Sequence, residues 1–406
     1  MDFQGFRTVV IGAGIGGLAV ARALALRGAQ VTVLEQATGI REVGAGLQVS
    51  PNGLAVLRGL GLKSAIEATG AVRATAVSLH NFCGAPVVRL DLARHAPGQG
   101  YYFCHRADLI AVLAEGARRA GARLRLLHKV DRVLPGEVPE VVTCNGARVR
   151  ADLVIGADGL HSRLRPALNG EARPGFTRQV AWRAVVPQEG MAEPEVRLFM
   201  GPGRHVVTYP LRDGRLRNIV AVEEQRQWTG EGWSQRGEPR ALSQAFAGFG
   251  PEVRGLLDRV TEVHRWGLFR HPVARNWTGP GTALLGDAAH PTLPFMAQGA
   301  NLALEDAWVL AAALAHAPDV GTGLSDYATA RRDRAVRVVD AASRNAWKYH
   351  LSFPPLRAAG QAAMRLGGRL APAAMVRQFD WIYAHDVTGG AVLDQSAPQP
   401  ALPDEG

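Results

Sequence analysis

Apolar residues fall along this chain in two rhythms. At its start, short β-branched runs alternate with helical stretches: 8–11 (Thr-Val-Val-Ile), a helical segment over 18–27 closed by Gly28, then 31–34, which ends in Glu35. That strand-helix-strand order predicts a parallel sheet. Residues 41–52 are polar and Gly-rich with no helical period and predict a long loop or short hairpin, whereas 54–62 is helical again. Over 71–92 the rhythm becomes strict alternation, so the chain leaves for a separate sheet and returns at Tyr101. An amphipathic helix over 106–120 follows, then 123–127 and 141–143 as strands of a small meander, and 152–155 restores the parallel sheet.

Alternation returns over 180–271, in runs at 196–200, 205–209 and 217–222, interrupted by a helix and loop around Trp228 and Trp233. The apolar run 282–285 then predicts a buried strand, and 302–315 and 327–347 predict two helices, the second with its arginines on the polar side. The basic, Ala-rich run 357–377 predicts helix packed on the body, with partner or membrane contact as alternatives, and the Pro- and Asp-rich residues beyond about 391 predict a disordered tail. The fold class is α/β, with two visits to a second, mixed or antiparallel sheet.

Composition narrows the function more than the fold. At 406 residues the chain exceeds one usual core. It is 47% hydrophobic and 20% charged, which describes a soluble globular protein. The net charge of +10 comes without a Lys/Arg block interleaved with aromatics, so it favours small anionic ligands over nucleic acid. Cys83, Cys104 and Cys144 are odd in number and widely spaced, indicating neither a disulfide framework nor a metal site and fitting a reducing cytoplasm. The apolar stretch 9–26 is broken by Arg22 and clustered glycines, so no targeting segment and no stable membrane insertion is expected.

The chemistry sits at three strand ends. Gly12-x-Gly14-x-x-Gly17 follows the first strand: Gly12 makes the turn, Gly14 admits a pyrophosphate to the helix start beside Ile15 and Gly16, and Gly17 allows close packing. Glu35, followed by Gln36, suits an unphosphorylated ribose, as in FAD or NAD. Gly156-Ala-Asp158-Gly159 follows the strand at 152–155, with Arg163 and Arg165 placed to face phosphate oxygens, or Asp158 simply caps a turn. The stretch 286–301, GDAAHPTLPFMAQGAN, follows the last strand; its glycines permit close approach, Asp287 sits at a strand end, and Gln298, Gly299, Ala300 and Asn301 place N–H groups at a helix start. On the second sheet, His205 and Tyr209 alternate along a strand and share a face, about 13 Å apart at about 3.3 Å per residue. Either could line a pocket, and Trp182 and Arg183 read as a pocket wall and an anion anchor or as an edge-strand pair.

Taken together, these motifs, in this order, resemble the single-component FAD-dependent aromatic hydroxylases from Val9 to about Val387. The chain is most similar to the salicylate hydroxylase and 3-hydroxybenzoate 6-hydroxylase branch, through 44–52 (GAGLQVSPN), His205 with Tyr209, and 296–301 (MAQGAN). The resemblance implies a Rossmann-like FAD-binding domain in three parts (1–72, 101–178, 272–350), a substrate domain in two (73–100, 179–271), C-terminal helices (351–390) and a tail (391–406). It implies FAD held by Gly12, Gly14, Ile15, Gly16, Gly17, Glu35, Gln36, Arg41, Arg106, Asp158, Gly159, Gly286, Asp287, Pro291, Gln298, Gly299, Ala300 and Asn301. His205 matches a proposed base and Tyr209 a substrate contact, with Gln48, Arg183, Pro294 and Met296 around the substrate. The expected activity is hydroxylation of a small phenolic or heteroaromatic acid with O2 through a flavin hydroperoxide. NADH or NADPH would dock transiently as reductant, the choice between them staying open.

The expected assembly is a monomer or homodimer. Two alternatives keep the fold: oxidation of a larger olefinic or quinone-type substrate, and a non-redox binding protein. One departure from the family pattern is Ala297, where many members carry glycine; its methyl is expected to narrow the space beside the flavin ring.

Overall fold

The structure, a computed structural model, describes residues 1–40, 45–228 and 235–393. Its first sheet has the strand order Thr278–Gly279, Thr282–Leu284, Leu153–Gly156, Arg7–Ile11, Gln30–Leu34, Arg123–Arg125, parallel throughout except at the Thr278–Gly279 edge. The register pairs Ile11 with Gly156, Gly156 with Leu284, and Ile11 with Leu34. The Gly-rich turn, the GADG turn, the 286–301 loop and Glu35 therefore leave neighbouring strands at one level, along the carboxyl edge where open parallel sheets bind ligands. The helix Ile15–Ala25 is buried along its whole length, between the helices Arg106–Arg119 and Gly299–His316, which is why its sequence is apolar apart from Arg22, whose guanidinium donates to the carbonyls of Leu60 and Gly116.

Several local expectations are corrected. Arg123–Arg125 belongs to the parallel sheet, and the small meander is Val130–Leu134, Glu140–Thr143 and Arg148–Arg150. Residues 41–44 of the expected loop or hairpin fall outside the described residues, and within 45–52 Gly46–Val49 is a strand pairing antiparallel with the distant Tyr102–His105. Trp228 lies in an irregular segment, Trp233 falls outside the described residues, and the helices here are Pro239–Ala245 and Pro251–Asp258.

The second sheet has eight strands in the order Gln235–Gly237, Val263–Arg270, Gly175–Pro187, Leu216–Glu224, Arg204–Leu211, Glu195–Gly201, Ala76–Asn81, Pro86–Asp91. Only the Glu195–Gly201 and Ala76–Asn81 pair is parallel. Alternation gives it two apolar faces. One packs on the helices Pro239–Ala245 and Pro251–Asp258 through Trp182, Phe199, Leu242 and Phe246; the other meets Leu293 and Phe295 of the 286–301 loop through Ala181, Val222 and Trp266. The helix Pro354–Leu370 covers the outer strand Pro86–Asp91, and among the described residues no helix is long and apolar enough to cross a membrane.

The long helix Val320–Tyr349 departs most from its sequence pattern. Arg331 faces inward, 1% exposed, and bonds Glu305 at 2.7 Å and Asp306 at 2.8 Å, both carboxylates fully buried. Arg334 bonds Glu305 as well, at 2.8 Å. Asp306 further accepts from His290 Nε2 at 2.5 Å and from the Gly286 N–H at 3.1 Å, and Glu305 from Asn52 Nδ2 at 2.6 Å. Burial alone would raise the Asp306 carboxyl, but His290 and Arg331 outweigh it and hold it at about 2.

Removing one partner of such a cluster strands a buried charge. Arg331→Leu should therefore cost about 3–5 kcal/mol in chemical denaturation. The depressed Asp306 carboxyl adds stability that is complete above its ordinary value of 3.8 and is lost as pH falls through about 2. Denaturation midpoints should hold from neutrality to about pH 4 and drop below it, and Asp306→Asn should shrink that acid limb.

Candidate active site

Gly12 has φ 98°, and a Cβ there would stand 2.6 Å from the Ala157 carbonyl oxygen. A Cβ on Gly17 would collide with the Gly12 carbonyl, and one on Gly16 with Leu285; Ile15 is a core side chain. Gly14 differs. It caps the helix Ile15–Ala25 in extended conformation and nothing lies within 4 Å of a Cβ built on it, so its missing side chain serves open space rather than packing. Glu35 closes this turn, its two oxygens accepting from the N–H groups of Ala13 at 2.9 Å and Ala37 at 2.8 Å. Each oxygen retains acceptor capacity for a hydroxyl. Gln36 is exposed beside it, and Arg41 lies outside the described residues.

At the next strand, Asp158 Oδ2 accepts from the Arg163 N–H at 2.6 Å, Gly159 takes φ 74°, and the buried Asp158 Oδ1 has no hydrogen-bond partner among the described residues. Burial pushes this carboxyl up. An orphaned acceptor of this kind marks a place where a ligand donor fits. Arg165, expected near phosphate, is buried and spends its guanidinium on the carbonyls of Ala288 at 2.9 Å, Ala289 at 3.1 Å and Pro272 at 2.6 Å. It clamps the 286–301 loop to the GADG turn, while the Arg163 side chain is exposed.

Within the loop, Gly286 takes φ 61°. Burial raises the Asp287 carboxyl, against the pull of His290 and Arg106. Pro291 is buried, and Pro294–Met296 forms one 3-10 turn. The N–H groups of Gly299, Ala300 and Asn301 open the helix Gly299–His316, where no intrahelical carbonyl reaches them. Asn301 cross-links the loop to the 48–52 segment: its Oδ1 accepts from the Ser50 N–H at 3.1 Å, and its Nδ2 donates to the carbonyls of Gln48 at 3.0 Å and Ala297 at 2.6 Å. Gln298, fully buried, bonds Ser50 Oγ and Asn52, both at 3.0 Å. Ala297 itself sits at φ 53°, ψ 34°, a left-handed conformation costing a non-glycine residue about 1–2 kcal/mol. The Asn301 bond holds its carbonyl there.

The facing wall is the eight-stranded sheet, whose register sets three rows: His205, Val222 and Ala181; Val207, Val220 and Arg183; Tyr209, Asn218 and Val185. Paired residues share a face, so Arg183 joins His205 and Tyr209 toward the loop, and Trp182 turns away to bond Glu223 at 2.9 Å. The Arg183 guanidinium lies 4.1 Å over the Trp266 ring, and burial and then Arg106 lower it to about 10. His205 is 2% exposed, with its ring 5.5 Å from both Phe295 and Tyr349 and its Nδ1 2.6 Å from His350 Nε2. Burial, and then His350, holds it well below the usual histidine range, so it is neutral and able to accept a proton.

Tyr209 occupies a different neighbourhood: its ring is 5.0 Å from Phe103, and Gln48, which accepts from the Tyr101 hydroxyl at 2.6 Å, lies beside it. The structure thus groups Phe295, which follows Pro294 in the 3-10 turn, with His205, and Gln48 with Tyr209. Met296 packs among Leu302, Val338, Ala342 and Ile382.

Sequence reasoning passed over four contributors. Gly46 donates to Asn218 Oδ1 at 2.7 Å, and a Cβ there would stand 2.6 Å from the Tyr209 ring, so it docks the Gly46–Val49 strand on the sheet. Tyr383, from the C-terminal turn Asp380–Tyr383, brings its ring 6.0 Å from that of Tyr101. Asn218 carried only the alternation of its strand as a signal, and His350 only its place at a helix end.

The residues present suit FAD. Helix-start N–H groups and Arg106 offer donors to a pyrophosphate, Glu35 and Asp158 offer acceptors to hydroxyls, and the space at Gly14 is open. Comparison with known proteins agrees: the family described as FAD binding domain matches residues 6–342. The chain is 36% identical over 392 residues to a 3-amino-4-hydroxybenzoate 2-monooxygenase of Streptomyces platensis, covering 94% of this chain and 96% of that one. It is 32% identical over 399 residues to 3-hydroxybenzoate 6-hydroxylase 1 of Aquipseudomonas alcaligenes, covering 93% and 97%. A salicylate hydroxylase solved as its substrate complex superposes with a TM-score of 0.80 at 25% identity, over 98% of this chain and all of that one.

Two glycines of one motif should fail differently. Gly14→Ala has room for its methyl in the folded chain, so far-UV dichroism and melting of the apoprotein should match wild type while the flavin dissociation constant rises at least tenfold. Gly17→Ala meets backbone and should lower the apoprotein's own melting temperature.

Proposed function

The chain belongs to the FAD binding domain family of flavoprotein monooxygenases, and from that premise we propose that its substrate is a small carboxylated phenol of the hydroxybenzoate type. It is an FAD-dependent hydroxylase of small aromatic acids, using NAD(P)H and O2. Bound FAD supplies the redox chemistry, taking reducing equivalents from NAD(P)H and activating O2. The protein's own residues bind, orient and deprotonate. Gly12, Gly14, Glu35, Arg106, Asp158, Asp287 and the first turn of the helix Gly299–His316 would hold the cofactor.

The observation that carries the substrate reading is one face of one sheet. Arg183 and His205 lie on it one row apart, with about 9–10 Å between their strands at the usual spacing of about 4.8 Å. Arg183 rests on an aromatic face, so a carboxylate entering there would gain a charge-assisted pairing in a low-dielectric setting. His205, kept neutral by burial, would accept the phenolic proton, since a phenol near pKa 10 is otherwise mostly neutral. The substrates named for the two relatives, 3-amino-4-hydroxybenzoate and 3-hydroxybenzoate, each carry both groups. Tyr209 and Gln48 would contact the ring at the other end of the pocket, and Pro294 would pass beside it.

Turnover tests this reading. 3-Amino-4-hydroxybenzoate or 3-hydroxybenzoate should stimulate NAD(P)H oxidation at least tenfold over its methyl ester and yield a ring-hydroxylated product. Equal stimulation by acid and ester, or oxidation without hydroxylation, defeats it. Arg183→Met should raise KM at least tenfold with kcat changed a few-fold. His205→Ala should slow hydroxylation about 100-fold at pH 6 and distinctly less at pH 9, where solution ionises part of the phenol.

A further inference from the structure

His205 does not end at its ring. Its Nδ1 stands 2.6 Å from His350 Nε2, and His350 Nδ1 stands 3.0 Å from Glu224 Oε1, on a side chain 54% exposed where His205 and His350 are 2% and 4% exposed. Three side chains thus join the interior of the pocket to bulk water. Their anchoring is local. His350 caps the helix Val320–Tyr349, and its carbonyl accepts from the Gly203 N–H at 3.1 Å, in the turn between the strands Glu195–Gly201 and Arg204–Leu211. The Glu224 N–H donates to the Gly203 carbonyl at 2.9 Å, so one turn positions both outer members.

The order of protons along the chain follows from its outer end. A carboxylate only accepts, so His350 Nδ1 carries a hydrogen. A neutral His350 then has a bare Nε2, which requires the hydrogen of His205 on Nδ1 and leaves His205 Nε2 bare. Among the described residues that nitrogen has no hydrogen-bond partner. Both rings are shifted toward neutrality, His205 by burial and His350, and His350 by burial against the pull of Glu224. The other titratable groups nearby are Tyr349, the Arg204–Glu223 pair at 3.8 Å on adjoining strands, and Lys348 and Arg357 beyond Tyr349.

We propose that His205, His350 and Glu224 form a proton relay that carries the substrate's phenolic proton to solvent and returns one to the hydroxylated product. The proposal rests on His205 facing the substrate as its base. In the outward step the substrate O–H bond breaks as a bond forms to His205 Nε2. The Nδ1 hydrogen of His205 passes to His350 Nε2, and the Nδ1 hydrogen of His350 passes to Glu224. Each imidazole gains one proton and loses one, so no imidazolium persists in a buried site, where charge is costly. The return step runs the same bonds backward and resets both tautomers. His350 and Glu224 are positioning residues, acting on the substrate only through His205.

The test uses the FAD-loaded protein and 4-hydroxy-3-nitrobenzoate, whose phenolate absorbs in the visible, mixed in stopped flow below the phenol's own pKa. Wild type should develop the phenolate band quickly on binding. Glu224→Gln, a surface change that spares the fold, should slow that step at least tenfold and enlarge its solvent deuterium effect, with the dissociation constant within two-fold. His350→Ala should slow it likewise and recover with added imidazole. If both variants keep the wild-type rate and pH profile while His205→Ala loses the band, the relay is wrong and the base assignment stands. If His205→Ala keeps the band, the base assignment falls and the relay with it.

Discussion

Two carboxylates with no access to water, Glu305 and Asp306, hold the 286–301 loop in place. Alone in that position each would carry a solvation penalty of several kcal/mol, so the fold is obliged to bring cations to them. Arg331 and Arg334 come from the next helix, His290 from the loop, and the Gly286 N–H and the Asn52 amide complete the shell. The loop is thereby fixed at its entry by His290 and Gly286, and at its exit by the helix bearing the carboxylates. Arg165, Gln298 and Asn301 repeat the principle with neutral partners, tying the same loop to the GADG turn and the 48–52 segment. A backbone held this way would meet the cofactor already shaped, and Ala297 keeps a left-handed conformation that an unsupported loop would shed.

The pocket between loop and sheet combines charge and neutrality in a useful proportion. Burial lowers both the Arg106 and the Arg183 guanidinium, with Arg106 adding to the effect at Arg183 and Asp287 opposing it at Arg106. Around them Tyr101, Tyr209 and Tyr383 are pushed above the usual phenol range by burial, so they stay protonated and serve as donors. An aromatic acid bound as proposed would meet positive charge for its carboxylate, phenolic hydroxyls for its polar edge and apolar walls for its ring.

How much of this the sequence disclosed follows a physical rule. The three glycine-bearing turns were legible because each stands directly after an apolar strand, and one short stretch contains both the signal and its cause. His205 and Tyr209 were legible as sharing a face because alternation is local too, whereas Arg183 joins them only through the pairing of its strand across Leu216–Glu224. What could not be read depended on distant partners. Helical periodicity put the arginines of 327–347 in solvent, since nothing near Arg331 in sequence says that two carboxylates wait across the interface. Gly46 looks like any loop glycine until Asn218, 172 residues away, presses against it. The three-residue strand Arg123–Arg125 is too short to show which sheet it joins, and Tyr383 has no local reason to face Tyr101.

The flavin site as proposed belongs to no single stretch of chain: its walls come from 12–17, 35, 46–52, 106, 158 and 286–301, stitched by bonds such as Ser50 to Asn301. Opening any one of them would remove contacts to a bound cofactor, so unfolding and release of the cofactor would be linked equilibria. The melting temperature of the protein is then partly a property of the solution around it. Each tenfold excess of free flavin over its dissociation constant contributes about 1.4 kcal/mol to the folded state.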